Sequence, residues 1–371
     1  MLTEVEKSMY ARQMILPELG SSGQEKLKHA HVLVIGAGGL GCPALMYLAV
    51  AGVGHIGIMD FDTVEETNLH RQTLYTWDHL GLHKATTAAT ELRKHNPFIV
   101  CTPIVEKFTV HNALQIIANY DVVIDGTDTF TTKYLINDAC LILNKPLVYG
   151  AVSQFEGQIS VFGLPQKNRL TIPSLHHYIP FSKDLNSLTN CAVAGVLGVL
   201  PGIVGSLQAA EVIKIITGIG EILAGKILII DVLNLRFQQF VLQDFQLPSP
   251  LNTLVDYDKI RVEQIDENYE ISTKSVKQWM DDGTPFQLID VREDWERNLC
   301  SLESMHIPLN DLPERIQEIN IRIPIVFYCH HGIRSRNALA IAQQLLQMNG
   351  YSMTGGIEDW SLKIDPAITR Y

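Results

Sequence analysis

Short apolar runs alternate with segments of helical periodicity across the first half of the chain. The pattern predicts strands over 31–35, 55–60, 121–125 and 146–150, and helices over 41–51, 84–95 and 130–143. Strand and helix in strict alternation is the signature of an α/β fold with a mostly parallel sheet. The stretches "GQISVFG" (157–163), "GKILIIDVL" (225–233) and "RFQQFVLQ" (236–243) predict added antiparallel strands around a long helix over 203–217. Between Leu164 and Thr189 there is neither periodicity nor an apolar core run, and a connection of that length inside a compact domain is usually functional or mobile.

Over residues 247–270 prolines and acidic residues replace the apolar pattern. A new alternation follows: helix 273–281, strand "FQLIDVR", helix 310–318, strand "IPIVFYC", helix 335–348, then "GYSMTGGIEDW". The expected organisation is a Rossmann-like α/β domain over 1–246, a linker over 247–269 and a smaller α/β domain over 270–371. No internal repeat is present.

Composition narrows the class. With 371 residues, 46% of them hydrophobic and no low-complexity tract, the chain supports two cores and is expected to fold throughout. The apolar segment "AVAGVLGVLPGIVGSLQAAEVIKIITG" is interrupted by Pro201 and by glycines and carries Glu211 and Lys214, so it reads as a buried helix and no membrane partner is expected. No N-terminal stretch has the basic head and apolar run of a signal peptide. The six cysteines are scattered without a C-x-x-C pair, which fits a reducing compartment and a cytoplasmic location. A net charge of -11 argues against a general nucleic-acid binder.

The candidate chemistry starts at "HVLVIGAGGLGCPALMYL", where Gly36, Gly38 and Gly41 form G-x-G-x-x-G between a strand and a helix. Such a turn aims backbone N–H groups and a helix N-terminus at phosphate. Asp60 ends the second strand, 19 residues after Gly41, where an acid accepts hydrogen bonds from a ribose; that suits NAD and ATP equally. Asn68, Arg71 and Gln72 follow closely, and Lys84 opens the next helix. Two cations beside the turn exceed the needs of a dinucleotide and suit a triphosphate under attack. Asp125 and Asp128 end a further strand, where a carboxylate could hold Mg²⁺ or cap the next helix.

The stretches "YARQMILPELGSSGQEKL" (10–27), "VLVIGAGGLGCPALMYLAVAGVGHIGIMDFDTVEETNLHRQTLY" (32–75), "NDACLILNKPLVYGAVSQFEGQISVF" (137–162) and "TNCAVAGVLGVLPGIVGSLQAAEVIKIITG" (189–218) together resemble the MoeB/ThiF family, relatives of the ubiquitin-activating enzymes. That resemblance implies adenylation of the C-terminal Gly-Gly of a small β-grasp sulfur-carrier protein with ATP and Mg²⁺. It makes Gly39, Asp60, Asn68, Arg71, Lys84 and Asp128 the ATP set, with Thr129 beside it. Arg12 matches an arginine that family members lend to the other subunit's site, which implies a homodimer. Cys191, in "LTNCAVAG", matches a position where relatives often carry a cysteine that links covalently to the carrier; a small residue packed at a helix start is the competing reading. Relatives also bind a structural zinc through two C-x-x-C pairs. This chain has "SLHHYIP" and "QDFQLPSPLN" in those places, so no zinc is expected. His176 and His177 are adjacent, point in different directions and are expected to lack the partners of a metal site.

In "IVFYCHHGIRSRNALAIAQQL", Cys329 ends a strand and a helix is expected near Ser335, a geometry that favours a thiolate. A phosphatase loop of this kind requires an arginine six residues past the cysteine. Here Ser335 stands there, between Arg334 and Arg336. "LIDVREDWE", "CHHGIRS" and "GGIEDW" resemble a rhodanese domain, which implies that Cys329 takes a sulfane sulfur from a persulfide or thiosulfate donor and passes it on. Cys42, Cys101, Cys140 and Cys300 fall on or beside apolar patterns and carry no expected role. The whole reads as an adenylyltransferase and sulfurtransferase making a carrier thiocarboxylate, foremost for molybdopterin, with thiamine or tRNA thiolation as neighbours. An NAD(P)-dependent oxidoreductase joined to a phosphatase-like module is the alternative of another class; a non-catalytic scaffold is a third.

Overall fold

In the computed structural model, residues 1–165, 172–178, 195–242, 253–257, 269–309, 311–346, 348 and 350–370 are described. They fall into two compact units, one reaching 257 and the other starting at 269.

The first unit opens with α1 (Glu4–Met9), α2 (Ala11–Met14) and α3 (Gly20–His29). Then come β1 (His31–Ile35), α4 (Gly41–Ala51), β2 (His55–Met59), α5 (Lys84–His95), β3 (Val100–Ile104), α6 (Ala113–Ile117), β4 (Val122–Asp125), α7 (Phe130–Ile142) and β5 (Leu147–Ser153). It continues through β6 (Glu156–Phe162), the short α8 (Leu175–Tyr178), α9 (Val199–Thr217), β7 (Lys226–Asp231) and β8 (Arg236–Val241). The sheet runs β3-β2-β1-β4-β5-β6-β7-β8, parallel from β3 to β5 and antiparallel from β5 onward.

β1 and β4 are buried almost end to end, as strands covered on both faces must be, and for that reason they read as unbroken apolar runs. Val32 and Val34 pack with Leu45 and Leu48 of α4 and with Ala88 and Leu92 of α5. Strand order reverses at β1, whose neighbours are β2 and β4, so the crevice beyond the C-terminal ends of β1 and β4 is the topological switch point where ligands bind.

Two features depart from the sequence pattern. β3 escapes the periodicity because it is a partly exposed edge strand carrying Pro103, which only an edge tolerates. α9 begins at Val199 and not at 203, because Pro201 falls in its first turn, where no intrahelical N–H bond is lost. α9 is long and apolar enough to cross a membrane. It packs against α4, β5 and β6, and a Cβ on Gly205 would lie 2.3 Å from the Leu40 carbonyl oxygen.

The second unit contains β9 (Glu270–Ile271), α10 (Thr273–Asp281), β10 (Gln287–Asp290), α11 (Asp294–Leu299), β11 (Met305–His306), α12 (Leu312–Arg315), β12 (Ile325–Tyr328), α13 (Ile333–Leu346), β13 (Gly350–Met353) and α14 (Gly356–Lys363). Its five parallel strands run β11-β10-β12-β13-β9, with β12 in the centre. Ser272 caps α10 by accepting the Ser275 N–H. The core gathers Val276, Leu288, Val326, Tyr328, Ile357 and Trp360. Of the helix expected over 310–318, Leu312–Arg315 is α-helical and Ile316–Glu318 is a 3₁₀ turn.

Candidate active site

At the end of β1, Gly36 turns the chain with φ +91°. A Cβ on it would lie 2.7 Å from the Gly126 carbonyl oxygen, and one on Gly41 would lie 2.0 Å from that of Gly36. Both positions therefore require glycine, the first by conformation and the second by close approach. Gly38 and Gly39 face side chains instead: their Cβ positions lie 3.6 Å from Gln72 Nε2 and 3.5 Å from Arg71 Cδ. Gln72 and Arg71, distant from the glycines in sequence, thus lie over the turn.

Asp60 Oδ2 accepts the Ala37 N–H at 2.8 Å and Oδ1 accepts that of Asp62 at 2.9 Å, which fixes the carboxylate beside the turn. Burial pushes the Asp60 carboxyl above its ordinary range, while Lys84 and the two N–H bonds pull the other way. Arg71 donates to the Thr67 carbonyl oxygen at 3.0 Å. Asn68 Oδ1 and Gln72 Oε1 are buried without a hydrogen-bond partner among the described residues, and such atoms fit a ligand that brings donors. Lys84 is buried at the first position of α5, its Nζ 3.2 Å from Asp62 Oδ2. The α5 cap, His83, makes no side-chain capping hydrogen bond among the described residues. A cation added to an uncapped helix N-terminus suits an anion.

After β4, Gly126 donates to the Ile35 carbonyl oxygen at 2.8 Å, which holds this loop against the glycine turn. Asp125, considered a possible metal ligand or helix cap, does not cap α7, and both its oxygens are engaged within the chain. Its Oδ1 accepts from Thr127 N at 2.9 Å and Oγ1 at 2.7 Å, and its Oδ2 accepts from Lys133 Nζ at 3.0 Å. The cap position of α7 belongs to Thr129, whose Oγ1 donates to Thr132 Oγ1 at 2.8 Å. Asp128 is exposed and has no ion-pair partner among the described residues. One exposed carboxylate fits Mg²⁺, which commonly takes one or two carboxylates and fills its octahedron with water and phosphate oxygens.

Arg12 is exposed on α2 and pairs with no described residue. No described residue draws it to the glycine turn. Cys191 lies outside the described residues. Lys133 was not singled out from sequence; a lone lysine in the apolar run of α7, eight residues after Asp125, was the available signal.

His176 is engaged by one carboxylate, in a hydrogen-bond network rather than a metal-ligand group. Its Nε2 lies 2.8 Å from the fully buried Asp138 Oδ1, its ring stacks on Tyr134, and Tyr257 donates to Asp138 Oδ2 at 2.5 Å. This network draws α8 and residue 257 onto α7. The side chain of His177 lies outside the described set. No group of three or more metal-ligating side chains occurs among the described residues.

In the second unit Cys329 follows the central strand and is buried, with the Gly332 N–H donating to its Sγ at 3.1 Å. α13 starts at Ile333, two residues earlier than expected, so its N-terminus closes the loop around the sulfur. Ser335 Oγ is 3.7 Å from Sγ, donates to the Gly332 carbonyl oxygen at 3.1 Å and lies 2.8 Å from Ser352 Oγ. The flanking arginines serve carboxylates: Arg334 makes a two-pronged pair with Glu296 at 2.5 and 2.6 Å, and Arg336 Nε lies 2.6 Å from Glu270 Oε1 at an angle unlike a hydrogen bond. Burial and then His331 hold His330 below the ordinary imidazole range. Cys42, Cys101 and Cys140 are buried in the first unit; burial pushes the Cys42 thiol up to about 12 and that of Cys101 to about 11. Cys300, at the end of α11, is half-buried.

The ThiF family model matches residues 10–249 and the rhodanese-like domain model matches residues 272–363. Adenylyltransferase and sulfurtransferase MOCS3 of Xenopus laevis is 36% identical, and the alignment covers 100% of this chain and 89% of that protein. Sulfur carrier protein adenylyltransferase of Thermus thermophilus is 46% identical over 65% of this chain and 89% of its own length. Among solved structures, E. coli MccB with ATP superposes with a TM-score of 0.56 at 25% identity, covering 67% of this chain and 75% of that one.

Proposed function

This chain belongs to the ThiF family and carries a rhodanese-like domain behind it, and on that premise we propose how it works as an adenylyltransferase and sulfurtransferase. The first unit adenylates the C-terminal Gly-Gly of a small β-grasp sulfur-carrier protein with ATP, and the second relays the sulfur that turns the product into a thiocarboxylate. The observation carrying the first half is the convergence of Arg71, Gln72 and the β4 loop on the glycine turn at the switch point of the sheet.

Backbone N–H groups of the turn receive phosphate oxygens, Asp60 accepts from the ribose, and the Asn68 and Gln72 amides take the remaining polar edges. Arg71 and Lys84 neutralise the triphosphate as the carrier carboxylate attacks the α-phosphorus and pyrophosphate departs. Asp128 would hold Mg²⁺, whose chemistry there would be to neutralise the charge that develops on the departing pyrophosphate. In the second unit, Cys329 accepts sulfane sulfur from a persulfide or thiosulfate, with the Gly332 N–H and the start of α13 steadying the charge on sulfur. The outer sulfur attacks the acyl carbon and AMP leaves; a thiol then attacks the Cys329 sulfur, releasing the thiocarboxylate and leaving a mixed disulfide that a second thiol reduces.

The exposed Arg12, with Met9, Ile15 and Leu16 exposed around it, supports a homodimer in which the arginine serves the partner's site. Molybdopterin biosynthesis is the pathway we propose; the same chemistry in thiamine or tRNA thiolation is distinguished by which carrier the protein captures. The deciding experiment is mass spectrometry of the carrier after incubation with ATP and a persulfide donor, reading replacement of one oxygen by sulfur. Cys329→Ala should release pyrophosphate normally and form no thiocarboxylate. Wild-type thiocarboxylate formation by that variant would overturn the relay.

A further inference from the structure

The first unit buries an ion pair that the chemistry above leaves unused. Asp125 at the end of β4 and Lys133 in α7 expose 0% and 2% of their side chains, with Nζ and Oδ2 3.0 Å apart. Such a pair is a poor investment in stability, because well-packed apolar residues in its place are often neutral or stabilising. Its geometry accounts for it better than its energy does. We propose that the Asp125–Lys133 pair is a positioning device for adenylation, clamping the loop of residues 126–129 and thereby Asp128; the proposal rests on the reading of Asp128 as the Mg²⁺ ligand.

The carboxylate grips the loop from both sides. Oδ1 takes both the N–H and the hydroxyl of Thr127, the residue before Asp128, at 2.9 and 2.7 Å. Oδ2 takes Lys133, whose own N–H donates to the Thr129 carbonyl oxygen, the residue after Asp128, at 3.1 Å. Lys133 is anchored in turn by the Gly150 carbonyl oxygen at 2.7 Å and by the Tyr149 ring, 5.1 Å from its centroid. Gln208 of α9 holds the Asp125 carbonyl oxygen at 2.8 Å. The clamped loop has little room on its other side, since a Cβ on Gly126 would lie 2.7 Å from the Gly36 carbonyl oxygen. The loop and α7 thus bind the carboxylate itself, β5 anchors its lysine and α9 holds its backbone carbonyl, and the residue this arrangement holds still is Asp128.

The test uses the full chain and carrier-dependent pyrophosphate exchange, titrated with Mg²⁺, beside thermal melting. The charge-free double variant Asp125→Asn/Lys133→Met removes the clamp without stranding a buried charge. It should melt at or above the wild-type temperature, exchange about 100-fold more slowly and need more Mg²⁺ for half-maximal rate, as Asp128→Asn should too. Lys133→Arg, which preserves the pair, should restore exchange to within a few-fold of wild type. Should the double variant fail to fold, Thr127→Val loses one tether at a half-buried position and should shift rate and Mg²⁺ midpoint in the same direction by several-fold. A folded clamp variant with the wild-type rate overturns the proposal. So does a slow one whose Mg²⁺ midpoint stays put while that of Asp128→Asn moves. If Asp128→Asn itself keeps the wild-type midpoint, the reading of Asp128 fails and the proposal goes with it.

Discussion

Gly356→Ala should disable sulfur transfer while sparing adenylation. At the Gly355–Gly356 turn, between β13 and α14, φ is +75° and +61°. The Ile357 and Glu358 N–H groups donate to the Cys329 and His330 carbonyl oxygens at 2.9 and 3.1 Å, lacing the turn to the sulfur loop. A Cβ on Gly356 would lie 2.2 Å from the His330 carbonyl oxygen and 2.3 Å from that of Cys329, so the loop must retreat by about 0.8 Å to reach the 3.0 Å that real contacts demand. Left-handed backbone costs an alanine roughly 1–2 kcal/mol whatever its surroundings. Gly283 isolates that cost: its φ is +70° and a Cβ there meets nothing within 4 Å. Gly283→Ala should therefore lower the melting temperature of the second unit by about 4–8 °C per kcal/mol and leave the transfer rate alone. Gly356→Ala should lose at least as much stability and about 100-fold in transfer, the usual consequence of misplacing a reacting group by about 1 Å. Single-turnover transfer from a persulfide donor, pyrophosphate exchange and melting curves on both variants make the assay. Equal transfer rates in the two variants would refute the claim that this turn sets the position of Cys329.

Changing Arg71 or Lys84 to Ala should abolish carrier-dependent pyrophosphate exchange without unfolding the protein, and wild-type exchange in either variant would sink their assignment to the triphosphate. If Arg12 serves the partner subunit, Arg12→Ala mixed with Asp128→Ala should recover part of the activity, one composite site of the mixed dimer being intact; no recovery in confirmed dimers would place Arg12 in its own chain's site. His55 stacks on His31 with ring centroids 4.1 Å apart, and burial, then His31 and His29, hold it below the ordinary imidazole range. The unfolded chain therefore takes up this proton first. The stability His55 withholds from protonation is complete above about pH 6.5 and is lost as pH falls through that value toward the folded one. His55→Phe should flatten the acid side of the stability–pH curve, and an unchanged slope would show that another group governs it.

Periodicity and glycine spacing carried β1, β2, β4 and β5, the α4 and α5 helices and the nucleotide turn, because each is decided by residues within one or two turns of each other. A strand covered on both faces must be apolar throughout, as β1 is, and Gly36 must be glycine because its own backbone conformation demands it. The Cys329 loop was legible for the same reason, since strand, loop and helix are contiguous. What escaped was the choice of polar partner. Asp125 with Lys133, Arg334 with Glu296 and His176 with Asp138 are ordinary charged or polar residues in sequence, and two of these pairs span 38 positions. Nor do the short pairings of β9 and β11, two residues each, leave a periodic trace. Hydrophobic burial is non-directional, so its pattern repeats along the chain and can be read there. A buried charge is tolerable only beside one particular opposite group, and which group that is depends on how distant elements pack.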